Sequence, residues 1–384
     1  MNRLCAEMRN DTHAPPRILH IIHGLTIGGA EIDLLRKLHA FGPESRAAMS
    51  ICCLMRRGEL ADDAVQLGIH VMGPFMRTRT DALVVPRLRR LMTVGDIDIV
   101  HSHLFAANAV TWAAMNTMPA SRRLAWIASE HAMAQRWNRR VLWLDRQMAQ
   151  QARMFTVPTE SAAQSYIAAG LSPAKLRVTA NAVDTVRFTC DDGERSARRR
   201  AMRASLGIDD ATFVIGTVCR LEPVKNLTML IDVATSLNAV LLIAGDGSLR
   251  DDLQERINAQ GLTRRVRLLG RRRDIPDLLC AFDVFAQTSG SESFGLAVIE
   301  ALLAGTPVVA TAVGAIHEVT GNGRYATLTP PDDIHSFRQA LLHMQAHPVA
   351  ALAQARAAGS FIAAHYGADA AAAALRQLYH DVLT

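Results

Sequence analysis

The feature that most constrains this chain is an alternation. Short runs rich in Ile, Val and Leu recur along its 384 residues, and longer helical patterns fall between them. Strands are predicted at Arg17–His23, Ala48–Leu54, Ile97–His101, Ala125–Ser129, Met154–Pro158 and Val178–Ala180. They resume at Phe213–Val218, Ala239–Ala244, Val266–Leu269, Val284–Gln287 and Pro307–Thr311. Helical patterns include Ala30–Phe41, Ala106–Met115, Leu227–Thr235, Ser248–Gln260 and Phe294–Ala304. Strand, helix, strand in this order specifies parallel sheets covered on both faces. About eleven strands are too many for one ordinary doubly wound sheet, so the expected fold class is α/β with two Rossmann-like domains. The break is placed at 184–212, a charged stretch poor in apolar residues. There Arg195, Arg198, Arg199, Arg200 and Arg203 read as a solvated helix face, because no aromatic residues interleave to stack nucleic acid bases.

Several function classes are excluded next. Apolar residues make up 49% and charged residues 20% of the chain, a globular and not a disordered composition. The first residues hold no apolar stretch of the kind a signal peptide needs. No uncharged apolar run reaches the ~18–20 residues of a membrane span; the longest, 296–316, carries Glu300 and Pro307. Cys5, Cys52, Cys53, Cys190, Cys219 and Cys280 form no Cys-x-x-Cys pair and read as reduced thiols in a cytoplasm. His101 and His103 share one strand face, too little alone for zinc, and no metal is expected. The cations are 39 Arg and only three Lys, at 37, 175 and 225. Residues 1–187 carry 23 basic against 15 acidic side chains, whereas 188–384 carry 19 against 21.

Three motifs carry chemistry. Gly28 and Gly29 follow a strand and open a helix, where backbone can approach a ligand and free N–H groups favour phosphate. Alone, such a pair is more often a plain turn, and it lacks the third glycine of the dinucleotide fingerprint. Arg220 leaves the carboxyl end of the first strand of the second half, and Lys225 stands just before the next helix. Together they can clamp two phosphates, Arg as a fork and Lys as a point charge. The third motif runs from Ser289 to Pro307, with Glu292 in a Gly/Ser-rich loop and Glu300 in the following helix. At about 1.5 Å per residue a helix would set these carboxylates ~12 Å apart on one side. That span suits the sugar and ribose ends of a nucleotide-sugar, with amides near Phe294 to Leu296 meeting the phosphates between. Glu300 lies among apolar neighbours and needs partners.

These residues resemble a family-4 retaining glycosyltransferase of the GT-B fold (glycosyl transferases group 1), of the bacterial polysaccharide-biosynthesis type. The resemblance runs from about Arg17 to about His365. It implies two Rossmann-like domains facing across a cleft: an acceptor-side domain over 1–187 and a nucleotide-sugar donor domain over 188–360. The family's last helix returns to the first domain, which implies the same for 361–384. The catalytic set it implies is His131, in the acid–His pair Glu130-His131, with Glu292, Arg220 and Lys225. The implied donor-binding set is Gly28, Gly29, Arg220, Lys225, Arg271, Glu292, Ser293, Phe294, Gly295, Leu296 and Glu300. Ser293 and Ala182 depart from the family pattern, each standing where Gly is usual.

The activity implied is transfer of a sugar from a nucleotide-diphosphate-sugar to a glycan or lipid-linked acceptor, with retention and without a metal or other cofactor. Retaining hydrolases bring two carboxylates about 5 Å apart; the Glu292–Glu300 spacing does not suggest that, which favours a front-face reaction. Two alternatives stay open, a nucleotide-sugar 2-epimerase of the same fold and a non-catalytic nucleotide-sugar-binding protein. The stretches 86–92 and 136–146 mix Arg with Leu and Trp. They fit an anionic membrane surface, hence a cytoplasmic or peripheral location, and equally fit helices packed on their own domain. No nucleic acid partner is expected.

Overall fold

The structure, a computed structural model, describes residues 15–78, 80–134 and 137–384. It divides into two compact units. The first holds the chain through Pro158, then Ala163–Ala182 and Ala371–Thr384; the second holds Thr159–Ala162 and Val183–Ala370.

The first unit contains β1 (Ile18–Gly24), β2 (Met49–Arg56), β3 (His70–Met72), β4 (Ile99–His103), β5 (Ala125–Ser129), β6 (Met154–Val157) and β7 (Leu176–Val178). They form one sheet in the order β3-β2-β1-β4-β5-β6-β7, every pairing parallel. The second unit contains β8 (Val214–Val218), β9 (Val240–Ala244), β10 (Val266–Gly270), β11 (Val284–Gln287), β12 (Val308–Thr311) and β13 (Thr327–Thr329). Their order is β10-β9-β8-β11-β12-β13, again all parallel. In each sheet the winding direction reverses once, between β1 and β4 and between β8 and β11. Loops leaving the carboxyl ends of such neighbours diverge and open a crevice, where doubly wound folds bind ligands.

The central strands are buried because both their faces are covered, and apart from the histidines of β1 and the His-Ser-His of β4 they are largely apolar; β8 packs Gly216 so closely that a Cβ there would stand 2.2 Å from the Phe282 ring. Two strands escaped the sequence reading, β3 and β13. Each has three residues at a sheet edge, too few to carry a period. β4 also runs two residues further than expected, which brings His103 into the sheet.

The arginine-rich stretch corrects the expectation of a solvated face. Asp191 and Glu194 form a capping box that starts the helix Asp192–Ser205. Arg195 and Arg203 on that helix are buried. Arg203 donates to the carbonyls of Ala281 (2.9 Å), Asp210 (2.9 Å) and Thr212 (3.0 Å) and to Asp283 Oδ2 (2.7 Å). Arg199 reaches the other oxygen of Asp283 at 2.6 Å. Carbonyls at the end of the helix Ile275–Ala281 have no intrahelical donor, and the guanidinium forks supply it.

Along the chain the division falls between Ala182 and Val183 and between Ala370 and Ala371. The short helix Thr185–Phe188 packs on the helix Leu296–Leu303, and Val183 bridges to Gly367, so both segments belong to the second unit. Ala372, Leu375, Leu378, Tyr379 and Val382 of the terminal helix join Ile18, Ile22, Leu34 and Ile51 in the first unit's core.

Candidate functional site

The residues singled out in the sequence fall into two groups, one at each reversal point. In the second unit, β8 ends into Arg220 and the turn Pro223–Lys225, while β11 ends into Thr288–Ser291. Backbone and hydroxyl bonds tie these two loops together. Thr288 Oγ1 lies 3.0 Å from the carbonyl oxygens of both Lys225 and Asn226, and Gly290 N–H donates to Val224 O at 2.8 Å. Asn226 takes a left-handed conformation (φ 46°) and donates to Asp332 Oδ1 at 2.8 Å.

That clasp sets Lys225 Nζ 2.5 Å from Glu292 Oε1. The same oxygen accepts from Gln287 Nε2 (2.8 Å) and Ser289 Oγ (2.7 Å). Among the described residues no donor reaches Oε2, so one carboxylate oxygen is anchored three times and the other is available. The backbone of Glu292 is held as well: Ala315 N–H donates to its carbonyl at 3.0 Å. Gly314 (φ +52°) passes so near that a Cβ would lie 2.0 Å from that oxygen. Lys225 and Glu292 keep only 17% and 12% of their side-chain exposure, enough burial to strengthen their attraction above that of a surface pair.

Glu292 precedes the helix Leu296–Leu303 by four residues, so helical rise does not set its distance from Glu300, and the ~12 Å reading loses its basis. Gly295 caps that helix at φ +80°, and the first amides after it have no i−4 carbonyl to bond. Phe294 is buried edge-on against Tyr366, ring centroids 5.5 Å apart, and the Ser293 carbonyl accepts from Thr159 Oγ1 at 3.1 Å. Glu300 is half-buried beside Val298, Ile299, Leu302 and Leu303. Arg220 is exposed. Arg271 is 87% exposed, with Nε 3.7 Å from Asp246 Oδ2.

In the first unit Gly28 is the extended N-cap of the helix Gly29–His39. A Cβ on Gly29 would meet nothing within 4 Å, and one on Gly28 only the mobile end of Glu31. The fold thus leaves Gly29 unconstrained, while a Cβ at Gly28 would displace the Glu31 carboxylate. One turn on, Asp33 and Lys37 form a buried pair at 2.8 Å. Asp33 Oδ1 also accepts Ala182 N–H (2.6 Å), and Arg36 donates to Ala182 O (3.3 Å), so this peptide is gripped at both ends. Among the described residues no hydrogen bond of ordinary geometry reaches either buried ring nitrogen of His131, and Asn181, whose Oδ1 is likewise buried, is a side chain that bears on the ring. Burial pushes the His131 pKa down to about 4; Asp33 raises it and Lys37 lowers it. The ring is neutral near pH 7 and offers one donor and one acceptor.

Behind it, His20, His101 and His103 crowd together, their ligand-type nitrogens all within 4.8 Å of one another. His20 and His101 face each other across β1 and β4, and His103 follows on the same face. His101 bonds Tyr379 Oη (3.0 Å) and Ser129 Oγ (2.7 Å), while His20 Nδ1 and His103 Nε2 bond each other at 3.1 Å. Two hydroxyls thus occupy His101, while His20 Nε2 is buried without a hydrogen-bond partner among the described residues. Burial holds all three rings neutral, His20 down to about 3.

Gln287, Asp33, Asn181 and His20 were not picked out in the sequence, and Ser289 only as the first residue of the third motif. Lys37 could have been, on the same rarity of lysine that drew attention to Lys225.

Two doubly wound parallel sheets, each with a polar crevice at its reversal point, define the GT-B architecture. Solved structures share it across nearly the whole chain. HepE of Anabaena in complex with UDP superposes with a TM-score of 0.83 at 22% identity, covering 95% of this chain and 100% of that one. Sucrose-phosphate synthase of Thermosynechococcus elongatus gives 0.77 at 18% identity, covering 95% and 99%. Residues 27–187 match the family Glycosyltransferase Family 4, and residues 198–359 match Glycosyl transferases group 1. The chain belongs to this glycosyltransferase family. A curated relative, D-inositol 3-phosphate glycosyltransferase of Mycobacterium tuberculosis, is 30% identical over 270 residues, 65% of this chain and 54% of that protein. The chain thus spans about half the length of the curated relatives it matches.

Proposed function

We propose that this protein is a retaining glycosyltransferase that moves a sugar from a nucleotide-diphosphate donor to a glycan or lipid-linked acceptor in cell-surface polysaccharide or glycolipid synthesis. The observation that carries the reading is the anchored Glu292 carboxylate beside Lys225. Its Oε2 is available for sugar hydroxyls while Lys225 and the amides after Gly295 meet diphosphate charge. Arg220 supplies a second cation, and Glu300 takes the ribose. Negative charge develops on the leaving diphosphate, and fixed donors stabilise it without reorganising. In the front-face scheme the leaving phosphate oxygen accepts the acceptor hydroxyl's proton, so neither glutamate acts as nucleophile. His131 is assigned to holding the sugar in a near-attack geometry, and no metal takes part. Uridine donors are the first to try, since the HepE structures hold UDP and UDP-glucose.

Acceptor-dependent release of nucleoside diphosphate tests the reading. Glu292→Gln is expected to lower turnover by at least ~10²-fold, the scale of one lost oxyanion donor, with the melting curve unchanged. Near-normal transfer by this variant would remove Glu292 from the mechanism. Activity in excess EDTA is expected to equal that without it, and strict metal dependence would refute the metal-free scheme.

A membrane-surface acceptor is part of the same proposal. The helices Val84–Val94 and Arg139–Gln151 flank the helix Leu104–Asn116 on one side of the first sheet. They expose Arg89, Arg90, Arg139, Arg140 and Arg146 beside Trp143, which is 55% exposed; Arg136 lies outside the described residues. Such a face suits anionic lipid. Among the described residues no helix is long and apolar enough to cross a membrane. Binding to phosphatidylglycerol vesicles that fades with salt is expected, and none at low salt would cancel this part.

A further inference from the structure

We propose that Cys190 and Cys280 form an oxidisable dithiol, a modification site in the second unit that closes to a reversible disulfide. Their sulfur atoms stand 3.9 Å apart although the residues are 90 positions apart in the chain. Cys190 is partly exposed just before the helix Asp192–Ser205, and Cys280 is buried in the helix Ile275–Ala281. Arg195 donates to Cys280 O (3.2 Å) and Arg203 to Ala281 O (2.9 Å), so the two backbones are already locked together. Closing the bond has to bring the sulfurs from 3.9 Å to about 2.05 Å.

A second observation points the same way. Arg195 is buried, and its Nε has no acceptor. Its charge bears on both sulfurs, and a thiolate would satisfy it. Burial pushes the Cys280 thiol up to about 12, so Cys190 is the sulfur that meets an oxidant first. The other described cysteines lack such a mate. Cys52 and Cys53 are neighbours on β2 and point to opposite faces, and burial raises Cys219 to about 11.

With a peroxide as oxidant the atoms balance. The Cys190 thiolate attacks one oxygen of hydrogen peroxide; an S–O bond forms, the O–O bond breaks, and the departing hydroxide takes up the proton that the Cys190 thiol shed, leaving one water and a sulfenic acid. Cys280 sulfur then attacks Cys190 sulfur. The S–S bond forms, hydroxide leaves, and it takes the Cys280 proton as a second water. Two electrons pass from the thiols to the peroxide, and a dithiol reductant returns them.

The cross-link would tie down the segment that follows Thr185–Phe188, which packs on the Glu300 helix. The proposal does not depend on the donor-site reading. Treat the full chain with a small excess of hydrogen peroxide, block free thiols, and map peptides by mass. A Cys190–Cys280 cross-linked peptide that dithiothreitol releases is expected, absent in Cys190→Ser and in Cys280→Ser. Because the bond closes a long loop, Tm is expected to rise by roughly 5 °C or more on oxidation and to return on reduction. Both thiols remaining alkylatable, a cross-link to Cys5 or between chains instead, or a lower Tm on closure would each overturn it.

Discussion

The two units wind their sheets alike and reverse them alike, yet they fill the reversal point with opposite kinds of polar group. At β1 and β4 the crevice floor is imidazole: His20, His101 and His103, neutral and buried, with His101 bonded to two hydroxyls and His20 bonded to His103. At β8 and β11 it is an ion pair, Lys225 on Glu292, held by Gln287 and Ser289. The difference teaches what each crevice can meet. Neutral buried rings, such as His131, suit uncharged hydroxyl groups, whereas a fixed cation beside a half-used carboxylate suits a charged leaving group next to a sugar. The bulk charge runs the other way, since the cationic surplus lies in 1–187. Under the proposed function, diphosphate binding would depend on a few placed charges, and the surplus would be left for an anionic acceptor or surface.

The comparison can be broken at several points. The largest effect is expected from Arg203→Ala, which deprives Asp283 and three carbonyls of a buried donor. Removing one partner of a buried pair costs about 3–5 kcal/mol, read as a lower urea midpoint, and an unchanged midpoint would show that water replaces the guanidinium. Next comes Lys225→Ala, expected to cut turnover by at least ~10²-fold, the scale of one lost oxyanion donor, with stability kept. Equal loss in Lys225→Ala and Glu292→Gln, and no further loss in the double variant, would mark the pair as one unit.

A pH series separates the two floors. His20, His101, His103 and His131 have pKa values lowered by burial, so below about 6.5 the unfolded chain binds protons that the folded chain does not. Stability is complete above that pH and is lost as pH falls towards 4, by up to about 1.4 kcal/mol per pH unit for each ring. Hydrogen exchange should quicken at β1 and β4 before β8 and β11; uniform quickening would refute the contrast. The smallest effect is assigned to Gln287→Leu, which removes one of three bonds to Glu292 Oε1. About a tenfold drop in turnover is expected, from a hydrogen bond worth about 1–1.5 kcal/mol, and a drop as large as that of Glu292→Gln would make Gln287 more than a support.

Much of this was legible in the chain because it depends on local pattern. Parallel strands buried on both faces announce themselves as apolar runs, and Gly295 with Glu300 marks a loop turning into a helix. What stayed hidden depends on distant partners. Nothing near Arg203 in sequence says that Asp283 and the Ala281 carbonyl wait for it, so a charge run read as solvated. Nothing near Cys190 announces Cys280. His101 and His103 could be seen to share a face, but His20 joins them only through the β1–β4 pairing.

Sequence alone thus determined the fold class and the two-domain plan, and it proposed Gly28, Gly29, Arg220, Lys225, Glu292 and Glu300 from their chemistry and His131 from the family resemblance, because hydrophobic period and residue chemistry are local properties. Tertiary structure alone decided which oxygen of Glu292 is anchored, which arginines are interior and which thiols touch. Those depend on strand order and helix packing, which bring together residues tens of positions apart, and no local pattern encodes such pairings.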